Sequence, residues 1–183
     1  MSSSISLRRE RAIRDCYGDR PDMLLRLSPA GSSRYTVDLP TAYHRGLPTF
    51  GELDRVYGSN TSAALVVSHI NDLQNFCGVL SMTKDRMLEL SRMVTQEYSW
   101  MTVGEWMLFC FRFKSGRYDK FYGSASANTV MRSLGQFRLE RLADLNMLEA
   151  QRERERMLSE RDRWRREAVS YEEAKAALGL KNI

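Results

Sequence analysis

The chain has 183 residues, a mass of 21.2 kDa and a net charge of +5 from 28 basic and 23 acidic side chains. That length suits one domain with attachments or two very small domains, and the 43% hydrophobic and 28% charged content is ordinary for a soluble globular protein. No apolar run approaches the roughly 18 residues of a membrane span, and no cofactor or metal motif is present. The three cysteines (Cys16, Cys77, Cys110) fit neither a zinc nor a CxxC pattern, and GxxxxGK[ST], GxGxxG and HExxH are all missing. The charged N-terminus lacks an apolar signal core and the cysteines read as free thiols, so a reducing cytoplasm is the expected setting.

Residues 1–48 read as a poorly structured basic segment. Eight arginines face five acids, and Gly18, Pro21, Pro29, Gly31, Pro40, Gly46 and Pro48 interrupt any pattern. A short helix over Arg8–Cys16 and an extended piece at Tyr35–Val37 are the regular features expected. Arg8, Arg9, Arg11 and Arg14 form a candidate basic arm for nucleic acid.

A helical core domain is predicted over 49–148. Thr49-Phe-Gly-Glu52 has the form of a capping box, in which hydroxyl and carboxylate each take one orphan amide. The helix it opens ends at Gly58. A second helix starts at Asn60 or Thr61, carries Leu65, Val66, Ile70, Leu73 and Phe76 on one face and stops at Gly78. His69, in its middle, is expected to be partly exposed, and His44 fully so. Thr83 opens a third helix with Met87, Leu90, Met93, Val94 and Tyr98. The capping box Thr102-Val-Gly-Glu105 opens a fourth, and its run Trp106–Phe111 is apolar all round, as in a helix at a domain centre.

The longest periodic segment runs from about Ala127 to Ala168, with Val130, Leu134, Phe137, Leu145 and Leu148 near one stripe. From Glu149 to Glu167 the stripe gives way: 13 of 19 residues are charged, with opposite signs three or four apart. Too few heptad positions are apolar for a coiled coil to be read there. Residues 149–183 are therefore a charged helical extension, and a capping box at Ser170–Glu173 predicts a separate short helix ending at Gly179. The fold class is all-α: a bundle of four to five helices, a long charged C-terminal helix and a short terminal one.

Residues 109–123, FCFRFKSGRYDKFYG, alternate aromatic and basic side chains. Basic groups contact phosphates and aromatic faces stack on bases. Arg112, Lys114, Arg117, Tyr118, Lys120 and Tyr122 are thus candidate nucleic-acid or partner contacts. A plainer reading has the aromatics finishing a buried helix and folding back onto the core after Gly116 while the cations face water.

From about Leu47 to Arg141 the sequence resembles a family of uncharacterised small proteins from phages and conjugative elements of Bacteroides-like bacteria. The stretches that carry the resemblance are PTFGELDRVYG (48–58), INDLQNFCGV (70–79), MTKDRMLELSRMV (82–94) and the block EYSW…FRFKSGRYDKFYG…VMRSLGQFRLER (97–141). The family pattern is a Lys/Arg-x-Gly-x-Tyr-Gly turn followed by Phe-Tyr-Gly. Here Asp119 replaces the glycine after Tyr118, and Phe121-Tyr122-Gly123 is kept.

The resemblance implies a mobile replicon and brings no activity with it. The leading expectation is a non-enzymatic accessory protein associated with DNA in replication or transfer, loosely like helicase loaders in layout. The alternative is a protein–protein adaptor that docks on a replication or transfer protein through 149–183 and touches no nucleic acid. A hydrolase or nuclease would have to use scattered acids such as Glu97, Glu105 and Asp119, whose spacing converges no pair.

Overall fold

The computed structural model describes residues 2–31, 39–44 and 46–178, and within its helices leaves aside the side chains of 2–6, 169–172 and 174. The fold is all-α. In chain order the helices are α1 (Ser2–Tyr17), α2 (Arg20–Arg26), α3 (Leu39–Ala42), α4 (Phe50–Tyr57), α5 (Thr61–Cys77), α6 (Lys84–Glu97), α7 (Val103–Lys114) and α8 (Ala127–Ala177), with a 3₁₀ turn at Pro29–Gly31. Two compact units result, 1–141 and 142–183.

Both predicted capping boxes of the bundle form. Thr49 Oγ1 accepts from the Glu52 amide at 3.1 Å while Glu52 Oε2 accepts from the Thr49 amide at 2.9 Å. Thr102 and Glu105 repeat the arrangement at the start of α7. The two helix starts are also stitched together. Phe50 N donates to Met101 O, Gly51 N to Ser99 O, and Val103 N to Pro48 O, forming a small antiparallel bridge between Thr49 and Thr102. The pairing satisfies backbone groups that a helix terminus leaves open.

Trp106 of α7 stands at the centre of the core. Phe50 lies 5.9 Å from it edge-on, Phe109 5.3 Å, and Phe109 in turn meets Phe137 of α8 at 5.8 Å. Buried Val130, Leu134 and Phe137 of α8 and Leu65, Val66, Ile70 and Leu73 of α5 close around this row. The sequence stripes are right for these positions. They fail at Phe76 and Met93, which lie on the stripes yet are 62% and 47% exposed, and Phe111, at the end of the run read as apolar all round, is 47% exposed.

Three expectations need correction. Residues 1–48 are not poorly structured where they are described: Ile13, Tyr17, Met23, Leu27, Ala42 and Tyr43 are buried. α1 is held by Arg9, whose Nε meets Glu52 Oε1 at 2.9 Å and whose Nη2 donates to Leu47 O, and Tyr57 donates to Gly18 O. Turn formers broke the sequence pattern, but α1 buries Ile13 and Tyr17, α2 Met23 and α3 Ala42. His69 is buried, with Nε2 2.8 Å from Leu27 O, so the helix residue expected at the surface instead ties α5 to the end of α2. Finally, α8 runs through Ser170 without a break to Ala177, in place of a separate terminal helix. The extended piece at Tyr35–Val37 and the stop at Gly179 lie outside the described residues.

Candidate functional site

α7 ends in cations and α8 supplies the acid that meets them. Glu140 accepts from Arg112 Nη1 at 3.1 Å, from Arg117 Nε at 3.0 Å and from the Tyr118 hydroxyl at 2.9 Å. Arg112 is only 7% exposed and lies over the Phe137 ring at 5.8 Å. Tyr118 stacks on Phe109, and burial together with the bond to Glu140 pushes its phenol well above the usual range. A buried guanidinium with its carboxylate is a packing element, because turning it out to a phosphate would break its bond to Glu140 and its contact with the Phe137 ring.

One residue along α8, Arg141 repeats the device with reversed polarity. Its Nε donates to Glu105 Oε1 at 2.7 Å, and its guanidinium lies 4.6 Å from the centre of the Trp100 ring. Glu105 is almost fully buried and serves both the cap of α7 and this clamp. Neighbouring residues of α8 thus grip the two ends of α7.

The remaining candidates divide. Lys114 pairs with Asp72 of α5 and covers the Phe76 ring at 5.2 Å. Lys120 sits 5.6 Å from the ring of Tyr122, which is 79% exposed, and is the one cation of this turn with no carboxylate partner among the described residues. In the N-terminal arm Arg9 is bound to Glu52, and Arg14 donates to Val56 O and lies over Tyr57. Arg8 and Arg11 are exposed. Arg112, Lys114, Arg117 and Lys120 therefore make no continuous positive surface; three of the four are paired within the bundle, two of them on the one carboxylate of Glu140.

The acids weighed for hydrolysis are spread apart in role. Glu105 caps α7, Asp119 pairs with Arg132 at 2.9 Å, and Glu97 ends α6 beside the Tyr98 hydroxyl. Among the described residues no three His, Cys, Asp or Glu side chains group as metal ligands, and no helix is long and apolar enough to cross a membrane. Cys16 is exposed, Cys77 half-buried and Cys110 buried, and burial raises the Cys110 thiol far above its ordinary pKa.

In the second unit every residue from Glu149 to Ala168 is exposed. Met157 is 64% and Trp164 67% exposed, and Leu178 is also exposed. Positions 157, 164 and 171 hold Met, Trp and Tyr at intervals of seven along α8, and Leu178 follows at the next interval just past the end of the helix. That row was legible in the sequence but was masked by its flanking charges. Residues 142–183 hold nine basic and nine acidic side chains, so the net +5 belongs to the first unit.

Residues 81–159 match the model of a family of unknown function, DUF6633. The match covers α6, α7, the connection to α8, and α8 as far as Ser159. It includes both carboxylate–arginine clamps and excludes α1 to α5. No curated protein and no solved structure is significantly similar to the chain. The phage and conjugative-element setting implied by the resemblance has no counterpart in these comparisons.

Proposed function

We propose that the protein is a non-enzymatic adaptor that docks a protein partner along the outward row of α8. The observation that carries this reading is the exposure of Met157 and Trp164 on one side of a charge-balanced helix, with Leu178 exposed just past its end. The Met157 and Trp164 anchors, two turns apart, fit a groove on a partner, and the alternating charges around them set register more than affinity. A polyanion gains little from a segment with equal numbers of both signs. In the mobile-element setting implied by the resemblance, the partner is a replication or transfer protein. Capture of partners by the full chain tests the proposal. A partner retained by the wild type and lost with Met157→Ser plus Trp164→Ser supports it, provided the melting temperature is unchanged. Equal capture by both forms removes it.

A second reading, contact with single-stranded nucleic acid, is favoured by one observation: Tyr122, Phe111 and Phe76 are exposed rings with Lys120 or Lys114 beside two of them. Such rings stack on bases at about 1–3 kcal/mol each. Binding to labelled single-stranded DNA that weakens with salt and is lost in Tyr122→Ser with Lys120→Ser would establish this reading. No binding at low salt would eliminate it.

A further inference from the structure

α6 and the first turns of α8 border an open groove of about 880 Å³. Its α6 wall carries Glu97 and Tyr98, and its α8 wall carries Met131, Arg132, Gly135, Arg138 and Leu139. These α8 positions recur every three or four residues, so one face of the helix lies along the groove. Leu139 is 75% exposed there.

Gly135 is the telling residue. It is exposed, lies in the interior of α8, and has no left-handed backbone angle. A Cβ built on it meets nothing within 4 Å. Neither backbone conformation nor packing within this chain calls for glycine, and glycine weakens a helix relative to alanine. What glycine offers at this place is bare backbone that another main chain can approach.

The groove also holds charges of both signs. Glu97 stands on one wall, and Arg138, with no carboxylate partner among the described residues, stands on the other. Arg132 is already held by Asp119. A surface carrying an acid and an unmatched base across a two-fold axis is complementary to itself. We infer that this groove is the interface of a homodimer, in which α8 of a second copy crosses at Gly135. The two-fold sets Arg138 of each copy against Glu97 of the other, and the exposed Leu139 side chains close over the crossing. The inference does not depend on the adaptor reading, which concerns a later stretch of α8.

Sedimentation equilibrium of the full chain over a concentration series tests it. The wild type is expected to move from monomer to dimer mass. Gly135→Leu should stay monomeric. Gly135→Ala should weaken the dimer about tenfold, while raising the melting temperature of the dilute monomer by about 2–4 °C. Glu97→Arg should abolish the dimer, and Glu97→Arg with Arg138→Glu should restore it. A wild type that is monomeric throughout overturns the proposal. So does a dimer indifferent to Gly135→Leu, or one lost in Trp164→Ser instead. A folded double exchange that fails to restore association overturns the Glu97–Arg138 contact.

Discussion

Arg112 sits between α7 and α8 with its guanidinium over Phe137 and its charge on Glu140. Removing the acid leaves that cation in a largely dry setting, which costs about 3 kcal/mol when one partner of a buried pair is lost. Glu140→Ala is therefore expected to lower stability by about 3 kcal/mol in denaturant unfolding, and Arg117→Ala, whose side chain is half exposed, by well under 1 kcal/mol. Gly104 gives a steric counterpart. A Cβ there would lie 2.4 Å from Ala42 O and 2.5 Å from Leu47 Cδ1, so α3 and α7 would have to separate. Gly104→Ala is expected to cost about 1–3 kcal/mol by thermal melting, against the usual preference for alanine in a helix.

His69 supplies the pH dependence. Burial holds its imidazole below the ordinary value of 6.5, outweighing the bond to Leu27 O, so the unfolded chain takes up a proton more readily than the folded one. Its share of the stability is complete above about pH 6.5 and declines as the pH falls below that value. Melting temperatures between pH 7.5 and 5 should show the decline. His69→Gln should flatten it, because the amide keeps a donor for Leu27 O without titrating. Glu52 acts in the acid range. Burial raises its carboxyl, but bonds from Arg9 and the Thr49 amide outweigh that and bring it below 4.5. Its contribution is present above the unfolded carboxyl value and disappears as the pH falls through the lower folded one.

At the scale of elements, α4 and α7 begin alike because each has a Thr and a Glu three residues apart, and the backbone bridge joins the two caps. Thr102→Ala should cost about 1 kcal/mol. These starts were readable from sequence because a capping box is local: its partners lie within four residues. The stops at Gly58 and Gly78 were readable for the same reason. The clamps on α7 were not. Glu140 meets Arg112 and Arg117 across 28 and 23 residues, and no pattern in a single sequence links them. The basic-aromatic turn therefore looked like a phosphate surface until tertiary packing brought the acids to it. Tyr118 and Phe121 fold back onto the core as the plainer reading expected, whereas Tyr122 stays outside.

For the molecule as a whole, charge and apolar surface are partitioned differently. The first unit holds the core and all of the net charge, most of whose candidate contact residues are spent internally. The second is neutral and presents a row of large apolar side chains. The all-α class was legible because helical periodicity is strong from Thr49 onward. Of the helices in the first 48 residues, only part of α1 was expected, over Arg8–Cys16; α2 and α3 span seven and four residues, too few for a periodic pattern, and α1 is tied down by contacts to Glu52, Val56 and Tyr57 about 40 residues away. The most direct measurement places a photo-crosslinking side chain at position 164 of the full chain, irradiates it in cells and identifies the adducts by mass spectrometry. A discrete protein adduct that survives nuclease treatment and disappears with Met157→Ser is the predicted result. Adducts to nucleic acid, or a protein adduct indifferent to Met157, would contradict the account.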